Sequence, residues 1–304
     1  MVVTHGSLQA ARGRCALTIG NFDGVHRGHR ALLERLTAKA RDLQLDSCVL
    51  TFEPHPREFF TGDAAPARLT RLRDKLELIA AAGVERVHVA RFDARFAALA
   101  AERFIEEVLL RGLGMRSLLV GRDFRFGEHR AGDFAALQAV AAKHRFELEA
   151  MPDVQFEGAR VSSSAARAAI QAGDFALAQR LLGRPYAISG RVMHGEKLGR
   201  DLGFPTANVA LKRPPPLSGI FVVEVDGLGP GVASVGCRPT VNATALPLLE
   251  VHLLEWQGEL YGRRLRVRFL RKLRDEKKYN GLAALREAIA GDAREAREFF
   301  ARHG

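Results

Sequence analysis

The sequence predicts an α/β domain built on a parallel sheet, followed by an antiparallel β-barrel with a closing C-terminal helix. Two observations carry this. Up to Gly183, apolar runs of strand length alternate with helical patterns, as in strands joined by crossover helices. After Gly183-Arg184-Pro185 the rhythm changes to short alternating runs punctuated by Gly and Pro, as in a small barrel. A chain of 304 residues with 47% hydrophobic content can bury two cores, so the expected domains are residues 1–183 and 184–304.

In order, Cys15–Ile19 reads as a buried strand, Ala31–Leu43 as a helix, Ser47–Phe52 as a strand, Arg71–Ala82 as a helix and Val84–Val89 as a strand. Ala101–Leu113 is a further helix, Ser117–Val120 a strand, Phe134–His144 a helix and Phe146–Met151 a strand. Ser163–Leu182 reads as two short helices broken at Gly173. The barrel strands are Ala187–Val192, Ile220–Val225, Val232–Val235, Leu248–Leu254 and Leu265–Phe269. Leu282, Leu285, Ile289, Ala293 and Phe300 mark the apolar face of the last helix, with an interruption expected near Gly291.

Between the first strand and the first helix lies Gly20-Asn21-Phe22-Asp23-Gly24-Val25-His26-Arg27-Gly28-His29. A helix start leaves backbone N–H groups unpaired and carries the positive end of the dipole, so phosphate docks there, and the glycines allow close approach. His26 and His29 are spaced to put both imidazoles on one side, where they can donate to oxygens of a triphosphate. Taken alone, such a segment is equally a glycine-rich turn with two exposed histidines.

The stretch resembles the His-x-Gly-His signature of the nucleotidyltransferase superfamily, and its wider form resembles the bacterial FAD synthetase branch. Further matches follow in family order. They are Thr51-Phe52-Glu53-Pro54-His55-Pro56, Gly121-Arg122-Asp123-Phe124-Arg125-Phe126-Gly127 and Val161-Ser162-Ser163-Ser164-Ala165-Ala166-Arg167. Singly, each is an ordinary strand-ending loop or a serine N-cap. The resemblance implies a Rossmann-like nucleotidyltransferase domain with Asp123 and Phe124 at the flavin or nucleotide site. It also implies that Ser162, Ser163, Ser164 and Arg167 contact ATP phosphates, Ser164 replacing the family's usual threonine with its hydroxyl kept.

A second stretch, Gly199-Arg200-Asp201-Leu202-Gly203-Phe204-Pro205-Thr206-Ala207-Asn208, has its own logic. Pro205 stiffens the chain while Gly199 and Gly203 open it, so Thr206 and Asn208 present oxygens from a rigid turn. Oxygen ligands suit Mg²⁺, which takes the rest of its shell from water and phosphate. The string resembles the riboflavin kinase signature, with Gly236-Cys237-Arg238-Pro239-Thr240 and Leu249-Glu250-Val251-His252-Leu253-Leu254 downstream in family order. That resemblance implies Thr206 and Asn208 as holders of the metal-nucleotide and Glu250 as the base toward the ribityl 5′-hydroxyl. On spacing alone, Glu250 is equally a surface glutamate on an alternating strand. Phe221 stands where tyrosine is common in the family.

Composition narrows the classes. No apolar stretch approaches the ~18 residues that span a bilayer, and no signal-peptide core opens the chain, so a cytoplasmic enzyme is expected. Cys15, Cys48 and Cys237 lack metal-ligand spacing and read as reduced thiols. The net charge of +11 comes without a run of five or more like charges, and aromatics are 7% of residues, so attraction for polyanionic nucleotides is favoured over nucleic-acid binding. The expected ligands are riboflavin, FMN, FAD and ATP, with Mg²⁺ as metal and neither nucleic acid nor membrane as partner. The oligomeric state stays open. Two alternatives also remain: one activity lost, or a non-catalytic nucleotide- or RNA-binding protein on the same folds.

Overall fold

The computed structural model describes residues 1–6, 13–195, 199, 202–238 and 246–303. By contact density the chain divides into two compact units. The first is Met1–Pro66 with Thr70–Ser162, and the second is Ala67–Leu69 with Ser163–Gly304.

The first unit is a six-stranded sheet. Its strands are β1 (Val2–His5), β2 (Cys15–Ile19), β3 (Asp46–Glu53), β4 (Arg86–Arg91), β5 (Met115–Gly121) and β6 (Glu147–Met151), in spatial order β1-β4-β3-β2-β5-β6, every neighbouring pair parallel. The edge strand β1 was not foreseen, because four residues of which three are exposed show no apolar run. Strand residues of alternate parity feed two apolar layers. Cys15, Leu17 and Ile19 join Phe104, Leu109 and Phe126 on one face. Ala16 and Leu119 join Leu33, Leu36 and Ile79 on the other. The helices are α1 (Arg27–Asp42), α2 (Pro56–Thr61), α3 (Leu72–Ala81), α4 (Ala94–Ala97), α5 (Ala101–Arg103) and α6 (Phe134–His144). From Phe104 to Gly112 the chain continues as π-helix where an ordinary helix was expected. A short hairpin, β7 (Gln155–Phe156) and β8 (Ala159–Arg160), completes the unit. Cys15 and Cys48 are buried free thiols.

From β2 the chain steps outward through β3 and β4 on one side, while β5 and β6 lie on the other. Loops leaving β2 and β5 therefore diverge at the carboxyl ends of adjacent strands, the place where open parallel sheets bind ligands. Gly20–Val25 leaves β2 there, and Arg122–Phe124 leaves β5.

The second unit opens with α7 (Ser163–Gln171) and α8 (Phe175–Leu182), the two short helices expected on either side of Gly173. A closed barrel follows in the order β10-β13-β12-β11-β14-β9. Its strands are β9 (Ala187–Met193), β10 (Ala207–Ala210), β11 (Gly219–Val225), β12 (Gly229–Arg238), β13 (Leu246–Leu253) and β14 (Arg264–Arg274), all antiparallel to their neighbours. Phe175 packs edge-on against Phe221, with ring centroids 5.8 Å apart, and stacks on Phe269 at 6.1 Å, so α8 contributes to the barrel's own apolar cluster. Phe221 is 1% exposed and its ring meets those of Phe175 and Phe269.

The closing helix α9 (Leu282–His303) runs without interruption through Gly291. A glycine costs a helix about 1 kcal/mol, and burial of Ala293 and Ala296 on either side of one turn outweighs it. Leu282, expected on the apolar face, is 59% exposed because it stands at the first turn, ahead of the packed segment.

Two candidate functional sites

In the first unit the loop after β2 is shaped from beneath. Phe22 and Val25 are buried and hold positive φ angles of 48° and 38°, a backbone reversal that non-glycine residues keep only when their surroundings fix it. Gly24 N–H donates to Thr70 Oγ1 at 3.0 Å, and Asp23 Oδ1 accepts from Thr70 N–H at 3.1 Å. Both Asp23 and Thr70 are buried, so this carboxylate fastens the loop to the segment ahead of α3. Gly20 N–H donates to Leu50 O at 3.0 Å, and Asn21 O lies 3.4 Å from Thr51 Oγ1.

His26 is the N-cap of α1, and its Nδ1 accepts from His29 N–H at 3.2 Å. An acceptor nitrogen carries no proton, so the His26 ring is the Nε2–H tautomer and offers a donor while neutral. The two imidazoles stack at 3.7 Å with an interplanar angle of 15°, and Phe22 lies 5.0 Å from His29. The expected one-sided placement is therefore observed. A Cβ on Gly28 would lie 3.2 Å from the His26 ring, which explains a glycine between the histidines.

Across the crevice, Asp123 pairs with Arg160 of β8 at 2.6 Å, and Arg160 also reaches Asp153 at 3.1 Å. The hydrogen bond to Asp123 raises the Arg160 pKa above its ordinary value. Phe124 stacks on Phe126 at 5.5 Å. Ser162 closes the first unit, whereas Ser163, Ser164 and Arg167 lie on α7 in the second, where Arg167 Nε donates to Ala67 O at 2.7 Å.

One feature of this unit escaped the sequence. Phe52, Phe59, Phe60, Phe92 and Phe96 form an edge-to-face cluster at the carboxyl ends of β3 and β4, with successive centroids 5.1–5.7 Å apart. Phe60 is 67% exposed and Phe59 39%, so the cluster presents an aromatic face to its surroundings. The Phe59-Phe60 pair following a Pro-capped helix start was the available signal.

In the second unit a cavity of about 220 Å³ opens between one face of the barrel, α9 and the segment after β14. Asn208 of β10 is directly opposite Glu250 of β13, which is directly opposite Ser234 of β12. Residues so paired project from the same face with Cβ atoms about 5 Å apart. Glu250 thus belongs to a row facing the cavity, with Thr206 on the same lining. The metal ligands expected on a turn are split, Thr206 just before β10 and Asn208 within it. A Cβ on Gly199 would lie 2.5 Å from the Phe204 carbonyl oxygen and 3.2 Å from Thr206 Oγ1, so a glycine is required for this close approach. Gly203 holds φ at +89°. Pro239 and Thr240 lie outside the described residues.

The opposite wall was not foreseen. Arg274 Nε and Nη2 donate to the two carboxylate oxygens of Asp292 at 2.8 and 2.6 Å, bonds that raise the arginine pKa further. Its guanidinium carbon lies 5.6 Å from the Tyr279 ring centroid. The Tyr279 hydroxyl is buried and has no hydrogen-bond partner among the described residues, leaving it for a bound molecule. Ser234 Oγ donates to Glu276 at 3.3 Å. His252 lines the same cavity, and burial lowers its pKa below the ordinary value. These residues are scattered along the sequence without a contiguous motif, and barrel closure together with the docking of α9 gathers them.

A parallel sheet with a phosphate-type loop at its switch point and a barrel with a carboxylate beside a rigid oxygen-bearing turn together define a two-unit phosphate-transfer enzyme. The sequence profile of the FAD synthetase family spans residues 8–165, and that of the riboflavin kinase family spans residues 182–300. A relative from Escherichia coli (strain K12), Bifunctional riboflavin kinase/FMN adenylyltransferase, is 50% identical over 301 residues, covering 97% of this chain and 96% of its own. A protein of the same name from Pseudomonas fluorescens is 51% identical over 287 residues, covering 93% and 92%. A solved Streptococcus pneumoniae structure described as a macrolide-efflux protein superposes with a TM-score of 0.81 at 25% identity, covering 98% of this chain and 99% of its own. The chain belongs to the bifunctional riboflavin kinase/FMN adenylyltransferase family. Among the described residues no helix is long and apolar enough to cross a membrane.

Proposed function

We infer that the second unit phosphorylates riboflavin to FMN with ATP and that the first transfers AMP from a second ATP to FMN, giving FAD and pyrophosphate. The observation that supports the residue assignment is the register that pairs Asn208 with Glu250, which lines the cavity together with Thr206. In the kinase step Glu250 accepts the proton of the ribityl 5′-hydroxyl as that oxygen attacks the γ-phosphorus and ADP leaves. Thr206 and Asn208 supply two neutral oxygens, a donor set that fits Mg²⁺ when nucleotide phosphates and water complete the shell. Bound there, Mg²⁺ neutralises charge on the β- and γ-phosphates. Gly199 and Gly203 keep the loop open to the phosphates. The adenylyltransferase domain is assigned to residues 1–183 and the kinase domain to residues 184–304.

In the adenylyl step the nucleophile is a phosphate oxygen of FMN, already an anion, so the site needs donors more than a base. His26 and His29 meet that need at the α1 start, with the loop Gly20–Gly24 around them. Ser162, Ser163, Ser164 and Arg167 are assigned to ATP phosphates on the family pattern. Asp123 and Phe124 border the flavin or nucleotide. The exposed Phe60 and its aromatic neighbours suit stacking by an isoalloxazine ring.

One incubation tests the scheme. Pure protein with riboflavin, ATP and Mg²⁺, sampled over time and resolved by chromatography, is expected to form FMN first and FAD from it. FMN that accumulates without FAD would reduce the chain to a kinase, and riboflavin left untouched would remove both assignments.

A further inference from the structure

Backbone pairing between β10 and β13 ends at Ala207 opposite Val251. Continued by one residue, the register would set Thr206 opposite His252, but the ladder has already ended there, and Pro205 beyond it has no N–H to extend it. The His252 side chain takes over at that point. Its Nδ1 lies 3.0 Å from the Pro205 carbonyl oxygen, and its ring meets Phe204 edge-on at 5.4 Å and 82°. A carbonyl oxygen only accepts, so Nδ1 carries the proton and donates. The Pro205 carbonyl and the Thr206 N–H belong to one planar peptide unit. Holding the oxygen therefore fixes the plane from which the Thr206 side chain projects. His252 is also two residues from Glu250 on the same strand, so both side chains leave the same face.

We propose that His252 is a positioning residue for phosphoryl transfer, its imidazole clamping the Pro205–Thr206 peptide to the strand that carries Glu250. The clamp sets the spacing between the Thr206 hydroxyl and the carboxylate, which neither loop nor strand fixes by itself. The inference rests on the reading of Thr206 as a ligand of the metal-nucleotide.

The test uses the full-length enzyme. An asparagine places its amide N–H close to where Nδ1 donates, whereas a glutamine places it near Nε2. His252→Ala and His252→Gln are expected to lose about 10- to 100-fold in kcat/KM for Mg-ATP in riboflavin phosphorylation, the usual worth of an outer positioning partner. His252→Asn should recover most of that loss, and KM for riboflavin should change little in all three. Adenylylation of supplied FMN by the same molecules reports folding of the rest of the chain. A purely structural role would not separate Asn from Gln, so equal behaviour of those two variants overturns the proposal, as does His252→Ala with parental kinetics. Thr206→Ala is measured alongside. If it is impaired while His252→Ala is not, the clamp alone fails; if Thr206→Ala itself keeps parental kinetics, the reading of Thr206 fails and the clamp with it.

Discussion

The two loops assigned to phosphates draw on their own residues to different degrees. The loop after β2 carries its own foundation, with Phe22 and Val25 buried beneath it, His26 capping the helix it starts and Asp23 reaching Thr70. Among the described residues of the loop before β10, Phe204 N–H donates to Gly199 O at 2.7 Å within the loop itself. Its further support comes from neighbours, through the pairing of Asn208 with Glu250 and the contact of Pro205 with His252. A self-supporting loop must be written as a contiguous motif. A neighbour-supported loop is specified only in part by its own motif, the rest being spread over other strands.

The largest expected effect separates the two regions chemically. Glu250→Gln keeps shape and hydrogen bonding but cannot take a proton near neutrality, so FMN formation should fall by roughly 10²–10⁴. Adenylylation of supplied FMN should continue, and assays of both products in one preparation check this. Kinase turnover within a fewfold of the parent would remove Glu250 from the mechanism.

The reciprocal change is His29→Ala. FAD formation from supplied FMN should drop by about 10²–10³, the worth of a transition-state donor, while FMN formation from riboflavin proceeds. Unchanged FAD synthesis in the folded variant would break the assignment of the α1 start.

A smaller effect sharpens the contrast in support. Thr70→Val removes the hydroxyl that accepts from Gly24 N–H, a hydrogen bond worth about 0.5–1.5 kcal/mol of stability. Thermal unfolding should register the loss, and FAD formation should decline more than FMN formation. Equal decline of both would mean that Thr70 supports the chain generally and not the loop.

Much of this was legible beforehand. The helix Phe134–His144 and the strand Cys15–Ile19 were read with their observed ends: Asp133 caps the helix at its start, and every residue of the strand is buried. The stacked histidines were legible because three-residue spacing at a helix start leaves little choice of direction. What could not be read was long-range. β1 is a polar edge strand, β10 is four residues hidden behind a turn-like Pro-Thr, and the π-helical turns after Arg103 have no period distinct from an α-helix. Arg274, Tyr279 and Asp292 gather at the kinase cavity through barrel closure and the docking of α9, which local pattern does not encode. The phenylalanine cluster was hidden for the same reason, its members lying after two strands that are neighbours only in the sheet.

The row Asn208–Glu250–Ser234 also bears on how this chain can change in length. Side chains along a strand alternate, so deleting or inserting one residue within β13 ahead of Glu250 would turn the carboxylate toward the apolar layer and bring Val251 or Leu249 to the cavity. Lengthening a connection outside the strands leaves the row intact. Descendants of this sequence are therefore free to vary where the strands are joined and held to a fixed residue count between them, a constraint that substitution patterns alone would not reveal.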